Sequence, residues 1–312
     1  GIFTNQATGT LTITGTAAVT LGTGNFVNNN TSASVNFGSS TVGLTGTTRS
    51  VGGFVTTGAV NPSNASGTIT ITGNINGGTF TKSGAGTINM GTGLTHTFTG
   101  IFALGTTVGS VVNGGSSTIN VNVNGSAWTG TGTLFTPGTG TVNFGGTAQT
   151  LSATGTQTFY NLTLSNSGIK TINTTTVNNI LSMEGTATSS AAPTYGTNAT
   201  LRYNTATSRT VGVEWITPFA AAGGVIIDNT GAIITNGNKV FNQDVPLTIN
   251  SGATLSPAAG NTFSLGGDFV NSGTWTPSTG DVTIALDRAS QNIGSFTTSG
   301  TVNMTKATGA AT

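Results

Sequence analysis

The chain is expected to be all-β, a right-handed parallel β-helix or β-solenoid with coils in a 21-residue register, on three observations. Apolar residues alternate with Thr or Asn in short runs: GTLTITG (9–15), GTITITG (67–73), TINVNVNG (118–125), TFYNLTLSN (158–166) and DVTIAL (281–286). Such runs, bounded by Gly or Asn, read as short strands with close turns. Helix formers such as Glu, Lys and Arg are rare, and Gly or Asn interrupts nearly every window. Finally, Asn250-Ser251-Gly252 returns as Asn271-Ser272-Gly273, an offset of 21.

That offset is shared. Asn229-Thr230-Gly231 lies one such step before Asn250, Asn292-Ile293-Gly294 lies one step after Asn271, and Asn166-Ser167-Gly168 lies three steps before Asn229. Two intervening steps, near 187 and 208, are missing. An apolar residue follows each triplet: Ile169, Ile233, Leu255, Trp275 and Phe296. Asn and Gly tolerate the left-handed backbone of a sharp corner, so each triplet is expected to be one, with its Asn or Gly at positive φ. The last four Asn should then lie in a row along one edge. A 21-residue unit is too short for a sandwich domain or propeller blade, and one coil alone cannot fold; stacked coils can. Tandem β-sandwich domains are the alternative.

Two segments follow from the register. Residues 156–312 form the regular solenoid, with a loop-decorated excursion at 184–222 that holds Glu184, Glu214, Arg202 and Arg209. Residues 1–155 repeat phrases such as SVNFGSS (34–40) and TVNFGGT (141–147) without a constant period, and are expected to be irregular, either coils of variable length or a different β domain.

Composition narrows the function. The 312 residues include 49 glycines and no cysteine, with 5 % charged residues and a net charge of +1. Eight scattered Lys and Arg offer no basic face for nucleic acid, and no apolar run reaches the length of a membrane span. The opening GIFTNQ has neither Met nor a signal peptide, so a processed chain or excised segment is expected.

No chemistry-bearing constellation assembles. Asp228, Asp244, Asp268, Asp281 and Asp287 fall in different phases of a 21-residue repeat, so no carboxylate ladder forms for acid–base work or Ca²⁺. His96 is the only histidine, which excludes His-based zinc sites and triads, and is expected to face outward. No nucleotide-binding loop is complete. The expectation is therefore no catalytic residue, no metal and no cofactor. Trp128, Trp215, Trp275 and Tyr203, with Tyr160 and Tyr195, could stack on sugar rings or fill a core. The phrases Thr10/Thr12/Thr14 and Thr68/Thr70/Thr72 would suit an ice-binding face only if in phase, and their offset of 58 is not a multiple of 21.

The stretches GTVNFGGTAQTLSATGTQTFYNLTLSNSG (140–168), LRYNTATSRTVGVEW (201–215) and GGVIIDNTGAIIT (223–235) resemble the long, repetitive secreted surface proteins of Bacteroidota. The shared phrases fall at Phe159/Asn161/Leu162, Leu201/Tyr203/Asn204 and Val211/Gly212/Glu214/Trp215. The resemblance implies stacked β-solenoid coils, an extracellular adhesin-like or fibre-forming role, and no catalytic residues. The function expected is thus a secreted, non-catalytic structural or adhesive protein associating with itself, with surface glycans as a further partner. A carbohydrate-processing β-helix and an ice-binding solenoid are the alternatives. Both ends, IFTNQATGTLTITG and TTSGTVNMTKATGAAT, are strand-like and nearly uncharged, Lys306 excepted, and are expected to pair with another chain.

Overall fold

The structure is a computed structural model that describes residues 1–277, 282–288 and 290–304. Asp281 and Lys306 lie outside the described residues. The chain is a β-solenoid of about 14 turns, roughly 22 residues apart, with parallel strands stacked coil on coil. Helix among the described residues is limited to two single 3-10 turns, Ser32–Ser34 and Gly132–Leu134. The chain divides into two compact units, residues 1–162 with 170–175, and residues 163–169 with 176–312.

In the first unit each coil contributes a strand to each of three parallel sheets. The first sheet runs from Phe3–Asn5 to Phe135–Thr136, the second from Leu11–Thr12 to Thr141–Phe144, and the third from Val19–Leu21 to Gln149–Leu151. This stretch is itself solenoidal. Its period is hidden because the offset between coils varies from 18 at Val42↔Val60 to 26 at Phe102↔Trp128. Corners absorb the difference while the strands keep their inward and outward alternation. Over Thr95↔Thr118↔Thr141 the offset is a constant 23.

Parallel in-register pairing sets like side chains above one another at the strand spacing of about 4.8 Å. Phe80, Phe102 and Trp128 use that spacing to stack, with ring centroids 4.2 Å and 4.8 Å apart and planes within 5° and 7°. Phe135 and Phe144 meet Trp128 edge-on at 5.0 Å and 5.8 Å. Stacked and edge-on pairs each add about 0.5–1.5 kcal/mol beyond the area they bury.

The second unit has the same construction. Ile180–Met183 pairs with Thr200–Tyr203, then follow Val225–Ile227, Leu247–Ile249 and Phe269–Asn271. A second sheet stacks Arg209–Thr210, Ala232–Ile234, Thr254–Ser256 and Thr274–Trp275, and a third runs from Lys239–Val240 to Val302–Met304. The offset is 22 over Val225↔Leu247↔Phe269 and 21 at Thr262↔Thr283, close to the expected 21. Residues 228–231 and 250–253 form four-residue corners, but only 272–273 link Asn271 to Thr274. The shorter corner cuts the next offset, Thr254↔Thr274, to 20.

Candidate binding face

The Asn-x-Gly triplets are corners only in part. Because the strands repeat at an offset of 22, Asn250 stacks on Asp228, not on Asn229, and its side-chain amide donates to the Asp228 carboxylate. The polar row at this edge is Glu184, Asn204, Asp228, Asn250 and Ser272. Each donates its backbone N–H to the last strand residue of the coil before, from Leu164 O (2.9 Å) to Ile249 O (2.8 Å). Asn271 is the last residue of its strand. Asn292 lies at the other end of that strand, donating its backbone N–H to Asp268 Oδ1 at 3.1 Å while Ile293 pairs with Phe269. The expected row of four Asn is therefore corrected to a row of mixed polar residues.

The backbone expectation also needs correction. Asn166 (φ 67°), Gly168 (73°) and Gly252 (81°) take the left-handed conformation, whereas Gly231, Gly273 and Gly294 do not. Those three are glycine for want of room. A Cβ on Gly231 would lie 2.4 Å from Ala206 O, one on Gly273 2.4 Å from Asn250 O, and one on Gly294 2.6 Å from Asn271 N.

Trp128, Trp215, Trp275 and Tyr203 are all buried, so none offers a free ring face to a sugar. Ile169, which the pattern places inside, is exposed, and its neighbour Lys170 is buried instead. Lys170 is one of a set. Arg49, Lys82, His96, Lys170, Arg209, Glu214 and Lys239 all lie in the interior. Most of the donors among them bond to carbonyls, several at corners where the strand ladder cannot supply a partner. Arg49 donates to Thr45 O at 2.7 Å and Leu21 O at 2.6 Å. Lys82 donates to Gly84 O. Lys170 donates to Gly146 O and, at 3.1 Å, to Gln149 Oε1. Burial lowers the Lys82, Lys170 and Lys239 ammonium groups to about 8.

His96 faces inward, against expectation. Its Nδ1 accepts from Ile75 N–H at 3.1 Å, which leaves Nε2–H to donate to Met90 O at 2.8 Å. Burial pushes the ring down to about 4, although the Met90 bond favours protonation. A neutral imidazole fixed by two backbone partners is a structural cross-link.

The phrases LRYN and VGVEW meet inside the second unit. The Tyr203 hydroxyl and Gly212 N–H both donate to Glu214 Oε1, each at 2.9 Å, and the Tyr195 hydroxyl donates to Glu214 O at 2.7 Å. Arg209 Nη2 lies 3.9 Å from the same carboxylate oxygen, and Lys239 Nζ sits 5.2 Å from the Trp215 ring centre. These residues close the excursion onto the coil beneath it. The carboxylates elsewhere are spread, apart from Asp244 and Asp268, which bind Arg288 at 2.7 Å and 3.0 Å. Among the described residues no three His, Cys, Asp or Glu gather as a metal site would require.

The outer surface of the first unit carries no charged side chain. Residues 1–175 contain no Asp or Glu, and their only Lys, Arg and His residues are the buried Arg49, Lys82, His96 and Lys170. On the second sheet of this unit, Thr95, Thr118 and Thr141 stack in one column, and Asn76, Thr97, Asn120 and Asn143 in the next. Asn143 Nδ2 donates to Asn120 Oδ1 at 3.0 Å, one coil away. A trough of about 280 Å³ lies along the column formed by Asn36, Val55, Asn76 and Thr97. The two Thr-x-Thr phrases singled out above belong to different sheets. The in-phase threonines are a different set, and their 23-residue spacing in THTF, TINV and TVNF was the available signal. Comparison with family models, curated proteins and solved structures found no match.

Proposed function

We propose that the chain is a non-catalytic, extracellular structural and adhesive protein whose copies associate into fibres at the cell surface. The observation that carries this reading is the withdrawal of side-chain charge from the surface of the first unit, where Arg49, Lys82, His96 and Lys170 all point inward. A surface without charge places no electrostatic repulsion between copies and favours association. The outermost strands support the same reading. Among the described residues, Phe3 stands on an edge strand of its sheet and Val302 and Met304 on an edge strand of theirs, and all three side chains are exposed. Such edges accept another strand by β-augmentation. The extracellular location rests on the resemblance to Bacteroidota surface proteins.

Electron microscopy and fibre diffraction of the purified chain test the proposal. The expected result is filaments with a reflection at about 4.8 Å along the filament axis, the spacing of stacked coils. Discrete particles of single-chain mass at micromolar concentration would refute it.

A further inference from the structure

We propose that the second sheet of the first unit is the adhesive face, and that its partner is an extended, uncharged polysaccharide. This inference rests on the adhesive reading above and names its target class.

Three features of the face select that partner. First, it has no ionisable side chain, and neither does the rest of the unit's surface offer an exposed Lys, Arg, Asp or Glu. Nucleic acids, acidic polysaccharides and anionic lipid headgroups would find no counter-charge there. Second, the outward groups are hydroxyls and amides, which both donate and accept hydrogen bonds. They recur in register on successive coils, Asn76, Thr97, Asn120 and Asn143 forming one column. A chain lying along the axis would meet the same chemistry at every step of about 4.8 Å. A linear polymer of repeating hydroxyls offers a recurring partner to such a column, whereas a folded protein surface does not. The bond between Asn120 and Asn143 holds those amides in place before binding, which lowers the ordering cost.

Third, the face is not flat. Val55 interrupts the polar column between Asn36 and Asn76, so the trough, lined also by Thr57, Thr97 and Thr99, combines an apolar side chain with hydroxyls and amides. Sugar rings present both kinds of surface, C–H faces and hydroxyl edges, and sites that bury small ligands combine the same two elements. A second copy would need a larger apolar area than Val55 supplies, and an ice lattice would need the column to be flat and uniform.

The test is retention of the purified protein on insoluble cellulose, chitin and curdlan, with alginate gel as the acidic comparison. Retention on at least one neutral polymer and none on alginate is expected. The double variant Thr97→Asp/Asn120→Asp should bind at least about tenfold more weakly, while Ser50→Asp/Thr70→Asp, a matched pair on the first sheet, should bind as wild type. Melting and sedimentation of both variants show whether fold and assembly survive; if the second-sheet pair fails to fold, Asn76→Asp replaces it, and if the first-sheet pair fails, Ser50→Asp alone replaces it. Loss of retention with assembly intact marks this face alone. Absence of retention on all three neutral polymers overturns the inference, as does retention on alginate or equal loss in the matched pair. Inhibition of ice recrystallisation abolished by Thr97→Asp/Asn120→Asp would also overturn it.

Discussion

Tyr203 and Glu214, on the LRYN and VGVEW phrases, meet at 2.9 Å through the tyrosine hydroxyl and one carboxylate oxygen, both fully buried. The same oxygen accepts the Gly212 N–H, and a Cβ at Gly212 would lie only 2.4 Å from the other carboxylate oxygen. The glycine and the glutamate of VGVEW therefore require each other, and the tyrosine of LRYN completes the pair.

Glu214→Ala should destabilise the chain by about 3–5 kcal/mol, because it leaves the Tyr203 hydroxyl and the Gly212 amide without a partner and Arg209 without a counter-charge. Glu214→Gln, which still offers an acceptor, should cost clearly less. Thermal and denaturant unfolding read both variants. An alanine variant within about 0.5 kcal/mol of wild type would contradict the lock.

The two kinds of corner glycine should respond differently. At Gly252 a side chain meets open space but a φ of 81°, so Gly252→Asn should be mild, as Asn166 already occupies φ 67°. Gly231→Ala puts a Cβ 2.4 Å from Ala206 O and 2.5 Å from Ser208 N and should be the more damaging, since backbone must move. Equal melting temperatures for the two variants would count against coil-to-coil crowding as the reason for Gly231.

Stability should peak on the alkaline side of neutral. His96 takes its proton near 6.5 when unfolded but near 4 when folded. Its contribution is therefore full above about 6.5 and is lost as pH falls through that window, by about 3 kcal/mol in total. The buried Lys82, Lys170 and Lys239 release protons near 8 rather than 10.5, so the unfolded chain binds more protons between those values and stability rises with pH there. Above about 10 the direction reverses, because burial and Glu214 raise Tyr195 and Tyr203, and the unfolded chain ionises first. A melting curve measured from pH 4 to 10, with His96→Asn flattening its acid limb, is the check. A melting temperature that falls between pH 8 and 10 would contradict it.

The inward charges were legible by the rule that found the strands. Lys82 stands two residues after Phe80, His96 two before Phe98, Lys170 two before Ile172 and Arg209 two before Val211, which puts each on the inner face of its strand. The outward placement expected for His96 overrides that period of two. Carbonyls at corners, which only the folded chain reveals, are what make long donors welcome inside. The solenoid itself could be read from the C-terminal repeat. The variation of its pitch could not, because the two-residue corner 272–273 gives the triplets a 21-residue step where Val225↔Leu247↔Phe269 keeps 22. In the first unit the constant 23-residue stretch was present but lay between coils of other lengths.

Under the proposed function, copies associate through the uncharged surface of the first unit and not through ion pairs. Sedimentation velocity at micromolar concentration, compared between about 0.01 M and about 1 M salt, tests it most directly, since this range shortens the Debye length from about 30 Å to about 3 Å. Assembly that persists with an unchanged size distribution is the predicted result. Assemblies that dissolve in high salt, or a chain that stays monomeric in both, would contradict it.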